Sequence, residues 1–222
     1  MYPSAVDRVV LIRLLVAALA AAGLRYFLWR AILFVEPDTL RIEADSPPLK
    51  WNGEDWGLVP EPLRKASQEL LGLGFIPLGT HIERAILGPT RTCFDYVHHE
   101  SSSHATLFEG AGGQPHAYLL TALANGGFVH SASYRRPARE VAGLYLSGYL
   151  EEASVERVVR AHWRRLDGLE PTLSPTLEGR VAAQQAWYAR FGRPEVRQRH
   201  ARGLLWSVGS LGMVAWALWG IL

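Results

Sequence analysis

Cysteine is nearly absent from this 222-residue chain, which contains only Cys93. A lone cysteine excludes an internal disulfide and any metal site built from several cysteines. Lysine is scarce too, with Lys50 and Lys65 set against 21 arginines. Basic and acidic residues nearly balance, 23 against 21, so the chain has no overall field that attracts nucleic acid. The composition therefore argues against a disulfide framework and against nucleic acid as a partner.

Motifs of common catalytic chemistry are also missing from the sequence. It has no G-x-S-x-G nucleophile turn and no H-E-x-x-H zinc motif. The glycine-rich run at 110–113 is not followed by Lys-Ser or Lys-Thr, so it does not predict a phosphate-binding loop. Cys93 as a nucleophile, with His99 or His130 as its base, matches no family signature, and such a cysteine is more often a small buried side chain. These absences favour a protein that is not an enzyme.

The chain does contain a long apolar segment near each end. Residues 203–222 carry no charge, and their 20 residues match a hydrocarbon core of about 30 Å at about 1.5 Å per residue. Near the other end, residues 14–24 are uninterrupted apolar residues, and Arg13 and Arg25 at their edges can reach the headgroups. A cleaved signal peptide would need a small-x-small site followed by a polar segment, which is not found. We therefore predict transmembrane helices within residues 1–35 and 203–222.

Arginine placement predicts the orientation of these two helices. The central side of the spans has most of the flanking arginines: Arg25, Arg30, Arg193, Arg197, Arg199 and Arg202. The outer side has Arg8 and Arg13. Loops rich in Lys and Arg stay in the cytoplasm. The sequence therefore predicts a two-pass protein of the cell membrane, with a cytoplasmic central domain and both termini outside.

The central region divides into three parts by composition. Residues 36–58 form a polar connector punctuated by Pro and Gly, and residues 59–170 are typical of a soluble α+β domain. Residues 171–202 form an amphipathic, basic helical lead into the second span, and two places are open to this helix: the inner leaflet of the membrane or the surface of the sheet. Apolar residues at helical spacing predict one helix over 60–71 and another from the cap Ser154 to about residue 166.

Between those two helices, the sequence indicates strands. Apolar and polar residues alternate in five runs: 76–86, 92–99, 104–109, 116–124 and 128–134. Asn125-Gly126 joins the last two runs and supplies the positive φ values of a type I′ hairpin turn. The predicted fold class is α+β, an antiparallel four- to five-stranded β-meander packed with helices and flanked by one N-terminal and one C-terminal transmembrane helix.

Three short elements carry a resemblance to a known group. They are Leu71-Gly72-Leu73-Gly74-Phe75, residues 121–133 around the Asn-Gly turn, and His162-Trp163-Arg164-Arg165-Leu166. Together they resemble a pattern in uncharacterised bacterial membrane-anchored proteins with an α+β domain. The resemblance covers about a third of the chain, and it transfers no activity and no functional residue.

One histidine-rich stretch is the sharpest candidate for chemistry. Asp95, His98 and His104 lie within ten residues of one another, and His81 and His116 are on neighbouring runs. Imidazole and carboxylate ligands from neighbouring strands suit zinc or another divalent metal. The alternative is that adjacent histidines point to opposite faces beside a polar hairpin tip, since no known ligand spacing is present. The metal set predicted from sequence is His98, His104 and Asp95.

The function that these features favour is that of a membrane subunit. We expect an integral membrane protein that is not an enzyme and has no cofactor, whose domain binds a partner protein or a second copy of this chain. The lipid bilayer is the other expected partner, and nucleic acid is not one. The alternative is a metal-dependent or hydrolytic membrane enzyme that uses the histidine-rich strand edge and a divalent metal.

Overall fold

The computed structural model describes residues 5–46, 59–110 and 112–219, and these form an α+β protein. The described helices are α1 (Ala5–Val35), α2 (Glu61–Gly72), α3 (Val155–Arg165), α4 (Leu177–Trp187) and α5 (Arg193–Trp219). The described strands are β1 (Arg41–Ser46), β2 (Ile76–Arg84), β3 (Thr90–His98), β4 (Ser103–Glu109), β5 (Pro115–Leu123), β6 (Phe128–Ala132), β7 (Arg139–Val141), β8 (Tyr145–Tyr149) and β9 (Pro171–Thr172). A 3-10 turn at Pro37–Thr39 follows α1, and a π-helical turn at Tyr188–Gly192 joins α4 to α5.

The chain falls into two compact units. A helical unit is formed within residues 1–40, 85–89 and 196–222, and a sheet unit within residues 41–84 and 90–195.

The strand β1 (Arg41–Ser46) lies in the segment 36–58 that the sequence predicts as a connector. Of the residues 36–58, the part from 47 onward is outside the described residues.

Two helical segments of the described residues are long and apolar enough to cross a membrane. They are Arg8–Val35 and the continuous helical stretch Leu177–Trp219, which α4, the π-turn and α5 form together. Large apolar side chains point outward from both, among them Leu19 at 65% exposure and Leu205 at 72%. A core helix of a soluble protein would bury such side chains. The two helices match a two-pass membrane protein, as the sequence predicts.

Small residues line the contact between α1 and α5. Ser210 lies 3.3 Å from the position that a Cβ atom on Gly23 would occupy, and a Cβ on Gly203 would collide with Arg30. Close backbone approach over small residues is the usual basis of helix pairing in membranes. The Arg30 guanidinium lies 5.1 Å from the ring centroids of both Tyr26 and Trp29.

The sheet has the order β1-β2-β3-β4-β5-β6-β8-β7, and β9 pairs with β5. Strands β2 to β6 run antiparallel in sequence order, and β8 is parallel to β6. These nine strands exceed the predicted four or five because β1, β7, β8 and β9 are short or polar and lack a clear alternation. The antiparallel core and its flanking helices agree with the predicted α+β class.

The turn between β5 and β6 differs from the predicted type I′ turn. Gly126 has a φ of +76°, but Asn125 does not have a positive φ, which type I′ also requires. The Asn125 side chain instead accepts a hydrogen bond from the Gly127 N–H at 2.9 Å and donates one to the Gly143 carbonyl at 2.6 Å. The asparagine therefore acts through its side chain, and glycine alone supplies the left-handed conformation.

One face of the sheet packs on α2 and α3 and is mainly apolar. Leu63 and Leu70 of α2 are fully buried there, as are Val158 and Val159 of α3. The strands contribute Phe94, Tyr96, Ala105, Leu107, Ala117 and Leu119. Burying a side chain of the Leu or Val type stabilises a fold by about 1.5–3 kcal/mol. We call this surface the apolar face.

The opposite face lies under α4, which contacts β1 and β2. Leu177 and Val181 of α4 are buried, but so are Arg180 and Gln184. The strands present polar side chains to this helix: His81, Asp95, His104, Thr106, Tyr118 and His130. We call this surface the polar face.

Candidate metal centre

Strand register brings the main polar cluster together. Residues two apart on a strand share a face, so His81 and Glu83 of β2 point the same way, as do Cys93 and Asp95 of β3. The two strands are antiparallel, and His81 is directly opposite Cys93. An irregularity in β2 at Pro77–Gly79 sets this register. Four chemically active side chains therefore meet on the polar face.

The distances within this cluster suit a metal ion. One ligand atom from each of His81, Glu83 and Cys93 lies within 4.8 Å of the other two. Nε2 of His81 is 3.8 Å from Oε1 of Glu83, which is too far for a hydrogen bond. Two ligands of one tetrahedral zinc ion, with bonds of about 2.1 Å, are about 3.4 Å apart. Shifts of about an ångström or less would place an ion between these atoms.

His81 is the most informative member of the cluster. It is completely buried, yet its Nε2 has no hydrogen-bond partner among the residues that the structure describes. Its other ring nitrogen, Nδ1, lies 2.5 Å from Oδ2 of Asp95. Metal-binding histidines usually direct their second nitrogen to a carboxylate, which fixes the ring. Asp95 therefore acts as an orienting group for His81.

Asp95 is occupied by its neighbours. Its Oδ1 accepts a hydrogen bond from the Thr106 hydroxyl at 2.6 Å and lies 3.2 Å from Nε of Arg180. Arg180 has no exposed surface, and it also donates to the hydroxyls of Thr106 at 2.7 Å and Tyr118 at 2.9 Å. Both carboxylate oxygens of Asp95 therefore have partners, and its role is to hold His81 and Arg180 in place.

Charges in the cluster are strongly coupled. Burial raises the pKa of Glu83, but the nearby His81 side chain and the charge of Arg91 outweigh it and lower this pKa to about 2. Burial raises the pKa of Asp95 too, and Arg180 and His81 bring it below its ordinary value. Burial lowers the pKa of His81, but Asp95 outweighs it, so this pKa lies well above its usual value. In the metal-free protein both carboxylates are charged, and so is His81.

Cys93, His81 and Asp95 also resemble the order of a thiol nucleophile, its base and an orienting acid. Burial, followed by the charge of Glu83, raises the pKa of Cys93 to about 11, so the thiol is neutral at physiological pH. Both Cys93 and His81 have no exposed surface. A reactive thiol needs a lowered pKa and access to substrate.

The structure separates the three residues that the sequence suggests as metal ligands. Asp95 and His104 lie on the polar face, where Nε2 of His104 is 3.0 Å from the Ser174 carbonyl. His98 pairs with Ser103, one residue before His104, so it points to the apolar face. There its ring lies 5.1 Å from the Phe75 ring. The sheet does not bring these three side chains together.

A sequence signal for the observed cluster does exist. His81-Ile82-Glu83 and Cys93-Phe94-Asp95 are two pairs of chemically active residues at spacing two, on neighbouring strands. Alternation makes the Ile82 row look like the buried side of β2, which leaves His81 and Glu83 in solvent. The structure buries Leu78 and Thr80 on one side of β2 and also His81 on the other, because α4 covers that second side. Only the position of Arg180 and Gln184, about a hundred residues later, reveals this helix as a cover.

A second buried cluster lies further along the polar face. Arg136 pairs with Glu195, and the Tyr145 hydroxyl donates to the same carboxylate at 2.5 Å. Nε1 of Trp187 donates to this hydroxyl at 3.1 Å. The positive and negative charges are matched here, and each has several hydrogen bonds. This arrangement is a closed ion pair, which leaves no vacant ligand atom on its carboxylate.

A third polar group lies between α3 and the sheet. His162 is fully buried, with Nε2 2.9 Å from the Thr121 hydroxyl and Nδ1 3.0 Å from the Ser131 hydroxyl. Burial, followed by the charge of Arg165, lowers the pKa of His162 to about 3. Both ring nitrogens are occupied, so His162 serves as a neutral core residue.

Comparison of the chain with family models, with curated proteins and with solved structures found no match. The function is therefore inferred from the chemistry of the described residues. Among the described residues, the cluster around His81 contains a buried ligand nitrogen that has no hydrogen-bond partner.

Proposed function

We propose that this chain is a two-pass membrane protein whose central domain binds a divalent metal ion of the zinc class through His81, Glu83 and Cys93. The observation that carries the proposal is the buried Nε2 of His81, which faces a thiol and a carboxylate and has no hydrogen-bond partner in the described part of the chain. Imidazole, thiolate and carboxylate are the ligands that zinc takes in proteins. A buried polar atom without a partner costs about 1–3 kcal/mol, which a bound ion would remove.

The charges of the cluster are compatible with a dication. A coordinated thiol loses its proton, and His81 must give up the proton on Nε2 to bind through that atom. One dication thus replaces two protons, so the total charge of the cluster does not change. The net charge of the cluster next to Arg91 and Arg180 is therefore the same with and without the ion.

Burial indicates what the ion does. A catalytic zinc site keeps one position open to water or substrate, whereas a structural site is closed. His81 and Cys93 are fully buried, and the Glu83 side chain, at 13% exposure, is the part of the cluster nearest to solvent. The ion would therefore enter the site past the Glu83 side chain. The ion stabilises or regulates the domain, and it does not act on a substrate.

Metal content is the direct test of this proposal. The tagged protein is extracted in a mild detergent, and bound metals are quantified by mass spectrometry. We expect about one zinc ion per chain. Replacement by cobalt should give a thiolate-to-cobalt charge-transfer band. His81→Ala and Cys93→Ser should remove both the metal and the band.

His98→Ala is the matched control, because His98 is a candidate from sequence that lies on the other face. This variant should keep its metal. Circular dichroism and gel filtration would show that each variant is folded. A folded wild-type protein that takes up no zinc, cobalt or cadmium on titration would overturn the proposal. So would a His81→Ala variant with unchanged metal content.

The proposal places the central domain in the cytoplasm, with the support of the arginine distribution. Cys93 is fully buried, so an exposed cysteine at Glu140→Cys would be the reactive thiol in the folded protein. A membrane-impermeant maleimide should label it only after the cells are opened. Labelling in intact cells would show that the central domain lies outside the cell.

Binding of a protein partner or of a second copy stays a prediction from the sequence. The native mass of the same detergent-extracted sample tests it. A particle that contains a reproducible second polypeptide, or two copies of this chain, would support it. A single-chain particle would count against it.

A further inference from the structure

A second unpartnered polar atom lies next to the metal cluster. The Gln184 residue on α4 is 4% exposed, and its Oε1 has no hydrogen-bond partner among the described residues. Its Nε2 donates to Oε1 of Glu83 at 3.2 Å. The helix therefore presents a buried carboxamide to the same carboxylate oxygen that faces His81.

The geometry of this carboxamide fits a ligand role. Rotation by half a turn about its last bond exchanges the nitrogen and the oxygen, and this would place the oxygen 3.2 Å from Oε1 of Glu83. Two acceptor oxygens at that distance repel each other unless a cation lies between them. Oxygen ligands of one tetrahedral ion, with bonds of about 2.1 Å, are about 3.4 Å apart. The observed distance is close to that value.

Building on the proposed metal site, we propose that Gln184 supplies the fourth ligand through Oε1, so that the ion fastens α4 to the sheet. Three ligands come from the neighbouring strands β2 and β3, and the fourth comes from a helix about ninety residues later in the chain. Four protein ligands complete a closed tetrahedral site. Metal binding is then coupled to the docking of α4, which continues through the π-turn into α5.

Other contacts hold α4 whether or not the ion is bound. Arg180 pairs with Asp95, and Nε2 of Gln185 donates to the Ile42 carbonyl of β1 at 2.8 Å. In the metal-free protein Gln184 adds one hydrogen bond, between its neutral carboxamide and the charged carboxylate of Glu83. In the zinc-bound protein, coordination of the ion replaces that hydrogen bond. Removal of the ion should therefore loosen α4 more than it loosens the strands.

Hydrogen exchange of the full-length protein in detergent, with zinc and with a chelator, tests the coupling. In the wild type, zinc should slow the exchange of α4 amides by roughly tenfold or more. Gln184→Ala should still bind zinc through three ligands, with an affinity lower by roughly tenfold to hundredfold, and zinc should no longer protect α4. Gln184→Glu keeps an oxygen ligand, so protection by zinc should be retained.

Gln185→Ala is the control for helix docking in general. It removes the bond to Ile42 and should speed the exchange of α4 equally with and without zinc. If Gln184→Ala bound zinc with wild-type affinity and kept its zinc-dependent protection, the fourth-ligand role would be overturned while the three-ligand site stood. If neither the wild type nor Gln184→Glu bound zinc, both proposals would fall.

Discussion

The two faces of one sheet are built by opposite means. The apolar face is filled by aliphatic and aromatic side chains from the strands, α2 and α3, with few charges. The polar face is held by three carboxylates, two buried arginines and three histidines, and α4 closes it. Burying apolar area is favourable on its own, whereas each buried charge is tolerated only with its partner. On the apolar face, each side chain therefore contributes to stability separately. On the polar face, the side chains depend on one another, so the loss of one weakens the whole group.

Removal of Arg180 should have the largest effect. Arg180→Met leaves Asp95 and its neighbours without their buried guanidinium, and breaking such a pair costs about 3–5 kcal/mol. The loss would be measured by denaturant unfolding of the metal-free protein, followed by tryptophan fluorescence. The double variant Asp95→Leu, Arg180→Met should be more stable than Arg180→Met alone, because no unpaired charge remains.

Leu119→Ala on the apolar face is the control for this pair. It should cost about 2–5 kcal/mol, and its effect should simply add to that of Arg180→Met. If Asp95→Leu gave no recovery in the Arg180→Met background, the polar face would not be organised around this ion pair. The two faces would then not differ in the way that their side chains contribute to stability.

Metal removal should separate the faces next. If the proposed site exists, zinc at about a thousand times its Kd stabilises the fold by about 4 kcal/mol, and a chelator removes this contribution. The measurement is the shift of the unfolding midpoint with and without chelator. Leu119→Ala should show the wild-type shift, since the apolar face does not touch the ion. A wild-type shift in His81→Ala would place the metal elsewhere.

The difference between the faces also explains how much of this molecule can be predicted from its sequence. Periodicity identifies β2 to β6, α2 and α3, because an apolar face repeats every two residues on a strand and every three or four on a helix. The terminal helices follow from length and lack of charge. Packing of α4 on the sheet is one of two alternatives from the sequence, but the burial of its polar side chains does not follow. Arg180 and Gln184 look like surface residues of a helix, and their burial depends on partners about a hundred residues earlier.

The same reason explains the candidate site. Ligand-type residues can be recognised in the sequence, and the cluster 95–104 draws attention by density alone. Density does not decide which side chains meet, because neighbours on a strand point to opposite faces. The residues that do meet, His81 and Cys93, are paired across two strands and separated by the loop 85–89. Recognising them requires the register of β2 against β3, which the irregularity at Pro77–Gly79 alters.

In the metal-free protein, acid should act with opposite sign on two buried histidines, His162 of α3 and His81 on the polar face. The pKa of His162 is lowered to about 3 in the fold, so the unfolded chain, at about 6.5, binds this proton first as the pH falls. Stability is therefore lost between pH 6.5 and 3, by about 1.4 kcal/mol per pH unit at most. His81 has a raised pKa, so its contribution is present below pH 6.5 and is lost as the pH rises above that value.

Unfolding midpoints measured from pH 4 to pH 9 in the presence of a chelator check this prediction. His162→Gln should reduce the slope of the profile between pH 6.5 and pH 4, where His104 also contributes, and His81→Gln should reduce the slope above pH 6.5. Identical profiles for wild type and His162→Gln would show that His162 is protonated in the fold, contrary to its burial between two hydroxyl groups.

The helix caps offer the smallest and most local test of the comparison. Ser154 accepts a hydrogen bond from the Arg157 N–H at 3.4 Å at the start of α3, and Thr176 accepts one from the Gly179 N–H at 3.1 Å at the start of α4. Replacing either cap by alanine should cost about 1 kcal/mol. Hydrogen exchange should rise in α3 alone for Ser154→Ala and in α4 alone for Thr176→Ala. If the polar face acts as a group, Thr176→Ala should also speed exchange around His81 in β2, whereas Ser154→Ala should leave β2 unchanged. Equal effects of both caps on β2 would mean that the sheet opens as a whole and that its two faces are not independent.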